Sequence, residues 1–504
     1  MSTYNNSADL AEKQLNLMSP TMCYAKWTQV SMHLTNGMTH SCYHPPLHKI
    51  DVQEIAINPA ALHNTKEKKI ERGLMLKGER PDGCSYCWKI EDLGGRSDRI
   101  YRSGEHWAQS SRKDIVQSLD TGDIDPRYLE VNFNQACNFK CMYCSPHLSA
   151  SWEEEIDKFG PYDILTLDGR SKHNDISYLK QEGLMPLKLK QEDNQYLVAF
   201  WKWWPTIYKK LEVFRITGGE PLMDSNMFKV LDYIYENPNS WLEVSITSNF
   251  CPPKPELMDK FIDKLQKLEK IQIWEDKERF NPGSGNHWYV NMAVKNFSIF
   301  VSLDSVGEQA EYIRTGLKYE LLQKNVNTLL SDTNNTTLTF INTFNALSIP
   351  KFKEFLTYIL ELRTQYSKDS QGIKYIPIYD PYHTHPDYEI HPRQRIWFDI
   401  PLLRYPDWLS ISILTDDFII YMENAVEFMK QHTDTTNFVG FYDFEIEKAE
   451  RNLAFLKEQV QNTEKLTLDR RNFTKYLNQY DERRGLQFHK TFPEFEFFYN
   501  QYNY

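Results

Sequence analysis

The chain has 504 residues, of which 25% are charged and 41% hydrophobic, and a formal net charge of −11 at pH 7. This is the composition of a soluble protein of two or three domains, and the negative charge argues against nucleic acid as the main partner. No apolar run approaches the roughly 20 residues that cross a bilayer, and the polar N-terminus lacks a signal-peptide core. We therefore predict no membrane association and a cytoplasmic location.

The first predicted element is a β-hairpin over residues 24–43. Its turn falls at Asn36-Gly37, a dipeptide that strongly favours tight hairpin turns. Cys23 and Cys42 stand at the two open ends of this hairpin, so strand pairing would bring their thiols together.

A helix is predicted next, from about Asn58, with Pro59 at its first position. It is followed by Cys84 and Cys87 in a Cys-x-x-Cys pattern, which completes a set of four N-terminal cysteines. In a cytosolic chain, clustered cysteines bind metal more often than they form disulfides. Four thiols close either a tetrahedral zinc site or an iron–sulfur site, and the residues alone leave both open.

From residue 128 onward, short β-branched and aromatic runs alternate with amphipathic stretches that carry one apolar stripe each. Strands are predicted at 128–133, 211–217, 242–247, 297–304, 336–344 and 373–379, and helices at 223–235, 255–268 and 351–363. Alternating strands and helices favour an α/β fold with a parallel sheet.

Three cysteines follow the first of these strands in the run Cys137-x-x-x-Cys141-x-x-Cys144. Thiolates are the ligands that hold iron–sulfur clusters, and this spacing lets one short loop present three of them. A 4Fe–4S cube has four irons, so three cysteines leave one iron open to a small molecule. A zinc knuckle or structural thiol cluster is the alternative.

The other polar motifs also fall at the ends of predicted strands. Gly218-Gly219-Glu220 follows the second strand, Ser248-Asn249 the third, and Ser302-Leu303-Asp304 closes the fourth. The carboxyl ends of parallel barrel strands carry the active residues, so we expect these motifs in one site.

The cysteine run, with Tyr143 before its third cysteine, resembles the cluster loop of the radical S-adenosylmethionine (radical SAM) superfamily. The resemblance implies a partial (β/α)6 TIM-like barrel and a 4Fe–4S cluster whose open iron binds the amino and carboxylate groups of SAM. It also implies reductive cleavage of SAM to a 5′-deoxyadenosyl radical, which abstracts hydrogen from a substrate. Tyr143 either leans on the adenine or packs under the loop.

Further SAM contacts are implied residue by residue. Gly218, Gly219 and Glu220 resemble the Gly-Gly-Glu motif, in which glycines allow close approach of the ligand and the carboxylate accepts from the methionine ammonium. Ser248 and Asn249 resemble the segment that contacts the ribose. The family more often has glycine after the asparagine, where this chain has Phe250.

Ser302 and Asp304, with the later Arg314, resemble a pattern of peptide-modifying members in which serine and arginine hold the SAM carboxylate. A guanidinium matches the carboxylate fork, which supports this role for Arg314. The alternative is a helix-face arginine that is solvated or paired with Glu311.

Cys23, Cys42, Cys84 and Cys87 resemble the ligands of a twitch or SPASM-type auxiliary domain, here N-terminal to the barrel. The resemblance implies a second, auxiliary 4Fe–4S cluster, and a zinc staple is the alternative. We therefore predict a small α+β cysteine-rich domain at 1–115, the radical SAM core at 116–385 and a mainly helical region at 386–504. In that last region the charged run 480–485 is read as surface salt bridges before a glycine stop.

The resemblance implies a radical SAM enzyme of oxidoreductase or maturase type that modifies a peptide or protein and takes electrons from a reductase or flavodoxin-type donor. An RNA-modifying or small-molecule radical SAM enzyme is one alternative. A non-catalytic, metal-stapled binding protein is the alternative from another functional class. The lone Cys251 is read as a small buried hydrophobe, with a redox or hydrogen-donor role as the alternative.

Overall fold

The computed structural model of the chain describes residues 3–165, 174–271, 273–276, 287–290, 293–367, 394–435, 439–459 and 464–503. Its internal contacts divide the chain into two units. The first comprises Met1–Asn134, Leu184–Gly218 and Trp241–Ser245, and the second comprises Gln135–Gly183, Gly219–Ser240 and Ile246–Tyr504. Within the described residues, no helix has both the length and the apolar character to cross a membrane.

The first unit contains a mixed sheet of short strands. Their order is Val213–Thr217, Tyr128–Asn132, Gln29–His33, Met38–His40 and His48–Lys49, and the first three are parallel. Most residues of Gln29–His33 and Tyr128–Asn132 are buried, and those of Val213–Thr217 alternate between half-buried and buried. Part of the long strand Asn239–Ser248 also belongs to this unit.

The N-terminal hairpin is confirmed, with shorter arms than predicted. Ser31 to His33 pair antiparallel with Met38 to His40, and Gly37 takes a φ of 69° in the turn, a value that glycine adopts at little cost. Residues 24–28 form a helical turn instead of the start of a strand. Cys23 and Cys42 nevertheless line one cavity, as the hairpin geometry predicts.

The prediction of one continuous helix from Asn58 is wrong, because two side chains cap two separate helical segments. Asn58 Oδ1 accepts from Ala60 N at 3.0 Å and caps the short 3-10 turn Pro59–Leu62. Thr65 then caps a separate helix, Lys66–Leu76, by accepting from Lys68 N at 3.2 Å. The helices of the first unit are Thr3–Met18, Tyr24–Thr28, Val52–Ile57, Lys66–Leu76, Ser85–Asp92, Asp98–Ser103, His106–Ser110, Arg112–Gln117 and Gln195–Ile207, with 3-10 turns at Pro59–Leu62, Asp82–Cys84 and Gln191–Asp193.

The second unit contains the parallel strands Val294–Ser302, Thr336–Ile341 and Ile396–Asp399. The first two confirm predicted strands within a few residues at each end. The predicted strand 373–379 lies outside the described residues. Two antiparallel pairs complete the strands of this unit: Lys140–Cys141 with Arg314–Thr315, and Ile273–Asp276 with His287–Val290.

Helices cover most of the rest of the second unit. They are Ala150–Phe159, Ile176–Gln181, Ser225–Glu236, Pro255–Glu269, Gly307–Ile313, Tyr319–Asp332, Phe352–Tyr366, Ile419–Gln431, Asp443–Gln459, Glu464–Arg484, Phe488–Thr491 and Glu496–Tyr502. Short 3-10 turns lie at Pro221–Met223, Ala346–Ser348, Asp407–Leu409, Ile411–Ile413, Asp416–Phe418 and Pro493–Phe495. The three helices predicted between strands are all present.

The fold class is therefore confirmed at the level of a mixed α/β protein with parallel sheet and many helices. Closure into a partial barrel stays a prediction. Beyond the strand Ile396–Asp399, the described C-terminal residues are mainly helical, in α-helices and 3-10 turns. Glu464–Arg484, the longest helix here and hereafter the C-terminal helix, was recognised in the sequence only at its charged end.

Candidate active site

Residues 137–144, hereafter the cluster loop, are held by backbone hydrogen bonds within the second unit. Lys140–Cys141 pair antiparallel with Arg314–Thr315, and Met142 N donates to Ile313 O at 2.9 Å. Cys144 N donates to Cys141 O at 2.9 Å and so turns the loop back between these two cysteines. The loop thus has a fixed backbone, with Arg314 directly opposite Cys141.

The three thiols of the cluster loop are close enough to shift one another's pKa values. Burial, followed by the proximity of Cys141, raises the pKa of Cys137 to about 12. Burial and the same neighbours raise the pKa of Cys144 as well. The three thiols are half-buried, and their thiolate forms would need positive charge between them, which an iron–sulfur cluster or a zinc ion would supply.

Among the described residues, no group of three or more His, Cys, Asp or Glu side chains is arranged around one point closely enough to hold a single metal ion. A zinc ion with bonds of about 2.3 Å needs thiolates only about 4 Å apart. A 4Fe–4S cube bonds each thiolate to a different iron and so accepts a wider spacing. The donor set of the cluster loop is compatible with a cluster, and a zinc knuckle stays the alternative.

The two glycines of the Gly-Gly-Glu motif lie very close to another segment of the same chain. A Cβ on Gly218, where φ is 128°, would lie 2.5 Å from Asn132 Oδ1. A Cβ on Gly219 would lie 2.3 Å from Ala136 O. Neither position tolerates a side chain, and the crowding neighbours come from the segment that leads into the cluster loop.

Glu220 is fully buried and its carboxylate makes three hydrogen bonds. Oε1 accepts from Leu222 N at 2.9 Å and Ser248 Oγ at 2.7 Å, and Oε2 accepts from Asn249 N at 2.6 Å. Burial raises the pKa of Glu220 to about 7, against the lowering effect of these bonds. No described ion pair involves Glu220, so its carboxylate, when ionised, suits the predicted ammonium ligand. Its hydrogen bonds also hold residues 248–249 in place.

Ser248 and Asn249 form a turn that is tied to the cluster loop. Asn249 Nδ2 donates to Asn138 Oδ1 at 2.9 Å, and Asn138 Nδ2 donates to Cys251 O at 2.8 Å. Phe250, the departure from the family pattern, has a φ of 59°. Glycine adopts such a φ without strain, which explains why glycine is common at this position in the family.

The buried residues Asp304 and Arg314 form one hydrogen-bonded group with the half-buried Tyr143 beside Cys141. Arg314 Nε lies 2.8 Å from Asp304 Oδ2, and Tyr143 Oη donates to the same oxygen at 2.8 Å. Arg314 also donates to Tyr143 Oη, and its Nη1 lies 3.5 Å from Cys141 Sγ. The proposed pairing of Arg314 with Glu311 is wrong, because Asp304 takes the guanidinium inside the fold.

These contacts bring most predicted SAM residues together within the second unit. Tyr143 packs under the loop with its hydroxyl bound, which matches one of its two predicted roles. Ser302 is half-buried and ends the strand Val294–Ser302. Asp304, predicted as a SAM contact, accepts from Arg314 and, at 2.8 Å, from Thr343 N, and its contact with SAM stays a prediction.

The four N-terminal cysteines line one cavity of the first unit, hereafter the four-cysteine cavity. Burial, then repulsion from Cys23, raises the pKa of Cys42 to about 12, and burial raises that of Cys84 to about 11. Lys26 and Arg99 also line the cavity, and both side chains are almost fully buried. Lys26 is paired with Glu71 and Arg99 with Glu91, so both cations already have a counter-charge, and the four cysteines suit either an iron–sulfur or a zinc site.

The sequence reading missed the part of the site contributed by the C-terminal helix. The predicted salt bridge is present, between Arg484 and Glu155, but it is buried: the Arg484 side chain is only 1% exposed and also donates to Lys140 O at 2.7 Å. Tyr476 Oη donates to Met142 O at 2.7 Å. The signal in the sequence was the four-residue spacing of Tyr476, Tyr480 and Arg484, which puts them on one helix face.

Comparisons with known proteins agree with the radical SAM resemblance. The GTP 3',8-cyclase of Trichodesmium erythraeum (strain IMS101) is 27% identical over 165 residues, which are 32% of this chain and 40% of the cyclase. The GTP 3',8-cyclase of Campylobacter jejuni subsp. doylei is 27% identical over 131 residues, 26% of this chain and 30% of that protein. No protein-family model matches the chain, and no solved structure matches it significantly.

The chain thus matches less than half the length of these curated relatives. Cyclases of this name are radical SAM enzymes, so the similarity supports placing the chain in the radical SAM superfamily.

Proposed function

We propose that the chain is a radical SAM enzyme whose catalytic 4Fe–4S cluster is held by Cys137, Cys141 and Cys144. The observation that carries this proposal is the convergence of three mutually repelling thiols with a buried arginine and a buried, uncompensated carboxylate in one unit. When bound, the cluster and SAM supply the 5′-deoxyadenosyl radical that abstracts a hydrogen atom from the substrate.

The residues of the chain bind and orient SAM. Glu220 accepts from the methionine ammonium through its buried carboxylate, which has hydrogen-bond donors but no cation of its own. Arg314, beside Cys141, and Ser302 hold the SAM carboxylate, and Asp304 keeps the guanidinium in place. Ser248 and Asn249 contact the ribose from a turn that Glu220 fixes.

We further propose that Cys23, Cys42, Cys84 and Cys87 hold an auxiliary 4Fe–4S cluster in a twitch-like N-terminal region. The cavity lined by the four cysteines also contains the buried side chains of Lys26 and Arg99, which pair with Glu71 and Glu91. Four thiolates around a zinc ion carry the same net charge as four thiolates around an oxidised 4Fe–4S core, so the resemblance of the four cysteines to a twitch or SPASM-type ligand set, and not charge, supports the proposed cluster.

The proposed substrate is a peptide or protein, as in the peptide-modifying members that the Ser302 to Arg314 pattern resembles. A nucleotide is the second candidate, because the curated relatives are named for a reaction of GTP. The proposed electron donor is a reductase or a flavodoxin-type protein, and the proposed location is the cytoplasm.

Anaerobic reconstitution tests the proposed cluster. Wild-type protein should bind close to eight irons per chain, show the EPR signal of a reduced 4Fe–4S cluster, and form deoxyadenosine from SAM under dithionite. Cys141→Ala should lose about half of this iron and all SAM cleavage. Cys251→Ala is the control variant, since Cys251 is a buried cysteine that is not a proposed ligand. Undiminished cleavage in Cys141→Ala would contradict the proposal.

Mass spectrometry after incubation with SAM distinguishes the substrates. Candidate peptides encoded beside the gene should lose two hydrogens or gain a cross-link, and GTP should remain unchanged. Conversion of GTP with no change in any peptide would replace the peptide proposal by the nucleotide one.

A further inference from the structure

Three consecutive peptide carbonyls of the cluster loop are bound by side chains from outside the loop. The carbonyls of residues 140–142 accept, in order, from Arg484 Nη1 at 2.7 Å, Trp152 Nε1 at 2.8 Å and Tyr476 Oη at 2.7 Å. A buried carbonyl without a partner costs free energy, so each bond favours one backbone position. Together they fix the loop around its central cysteine.

Two of these three donors belong to the C-terminal helix, and a third member of the same face supports them. Tyr480 lies between Tyr476 and Arg484 on the helix, and the Arg484 guanidinium stacks 3.8 Å from the centre of its ring. Tyr480 Oη lies 2.7 Å from Thr315 Oγ1, on the strand that pairs with the cluster loop. Arg484 Nη1 also donates to Thr315 Oγ1 at 3.0 Å, so it bridges both strands of that pair.

An ion pair with Glu155 fixes the Arg484 guanidinium beside the cluster loop. Glu155 accepts from Arg484 through both oxygens, at 2.9 and 3.0 Å, and the two side chains are 1% and 2% exposed. Lys140 pairs with the same carboxylate at 2.8 Å. The group of Arg484, Lys140 and Glu155 therefore has a net charge of +1 next to the backbone of Cys141.

We propose that Arg484 is a positioning residue for the catalytic cluster, which it serves in two ways. Its hydrogen bonds hold the backbone of the cluster loop, and its buried positive charge favours the uptake of an electron by the cluster. The inference rests on the proposed function, and it makes the C-terminal helix a part of the active site that lies more than 300 residues from the cysteines in sequence.

A pair of neighbouring substitutions tests this inference on the full-length reconstituted protein. Arg484→Gln removes the charge beside the loop. Arg483→Gln removes the same charge one residue away, where the side chain binds Gly160 O and stacks on Tyr162 instead. The measurement is a potentiometric EPR titration of the catalytic cluster in a background in which Cys84 is replaced by Ala.

The expected result is that Arg484→Gln lowers the reduced-to-oxidised ratio of the cluster by roughly tenfold at a fixed applied potential, because a buried cation no longer stabilises the added electron. Arg483→Gln should leave the ratio within about twofold of its parent. Equal ratios in the two variants would overturn the inference.

Two milder variants keep the inference testable if Arg484→Gln does not fold. Arg484→Lys keeps the charge but cannot donate to both the loop and both Glu155 oxygens, so the EPR lines should broaden while the reduced-to-oxidised ratio stays near its parent. Tyr476→Phe removes only the hydroxyl on Met142 O and should also broaden the lines. Parent-like spectra in both would overturn the positioning role.

The outcomes also separate this inference from the proposed function. If the parent protein binds no cluster through Cys137, Cys141 and Cys144, the proposed function fails. If the cluster is present and cleaves SAM, but its EPR signal and reduced-to-oxidised ratio do not respond to Arg484, only the inference about the C-terminal helix fails.

Discussion

The buried pair of Asp304 and Arg314 provides a quantitative test of the site. Arg314 Nε lies 2.8 Å from Asp304 Oδ2, and the residues are 5% and 0% exposed, respectively. At an effective dielectric constant of about 20, this separation gives a gross attraction of about 6 kcal/mol. Most of that attraction offsets the cost of taking both charges out of water.

Replacing Asp304 by Asn removes one partner and leaves the guanidinium buried without a counter-charge. The expected loss in the free energy of unfolding is about 3–5 kcal/mol, because the desolvation cost of Arg314 remains. Asn also cannot accept at both positions, so the bond from Tyr143 or that from Thr343 N is weakened as well.

Urea unfolding followed by circular dichroism measures this loss, with Asp399→Asn as the matched control. Asp399 forms an ion pair with Lys448 in the same unit, but these side chains are 41% and 34% exposed. The control should cost less than about 1 kcal/mol. A loss of less than about 1 kcal/mol in Asp304→Asn, similar to the control, would refute the buried-pair reasoning.

Three other outcomes follow from the same structure. Asn138→Ala deletes two hydrogen bonds between the cluster loop and residues 249–251 and should weaken SAM binding at least tenfold in equilibrium dialysis, with Lys270→Ala as an exposed control. Cys84→Ala should halve the iron content but retain SAM cleavage; a loss of cleavage would contradict separate clusters. Burial, followed by repulsion from Asp407, raises the pKa of Asp469 to about 6, so ionisation opposes folding as pH rises from about 4 to 6. Asp469→Asn should therefore stabilise the protein by about 1–3 kcal/mol at pH 7 in urea titrations and have little effect below pH 4; no gain at pH 7 would contradict this assignment.

Local patterns were sufficient to predict most of the elements around the site. The structure confirms the predicted strand Tyr128–Asn132, the helix Pro255–Glu269 and the hairpin turn at Gly37. These predictions hold because hydrophobic periodicity, helix caps and turn residues act over only a few neighbouring positions. The helix predicted from Asn58 failed for a local reason as well, since two capping side chains interrupt it.

Contacts that join distant segments could not be predicted in this way. The sequence assigned Glu220 to a ligand, but its carboxylate also holds the turn at residues 248–249. The run around Arg484 looked like a charged helix end, and only tertiary packing brings its guanidinium to Lys140 O. Such a contact depends on how the whole chain between the two residues folds, and rules of residue spacing describe only neighbours in sequence.

The proposed function depends on a 4Fe–4S cluster that is ligated by Cys137, Cys141 and Cys144 and cleaves SAM. The most direct test is deoxyadenosine formation by the anaerobically reconstituted full-length protein under dithionite. The account predicts deoxyadenosine and methionine in equal amounts from wild type and none from Cys141→Ala. Wild-type protein that contains its iron but forms no deoxyadenosine would contradict the account.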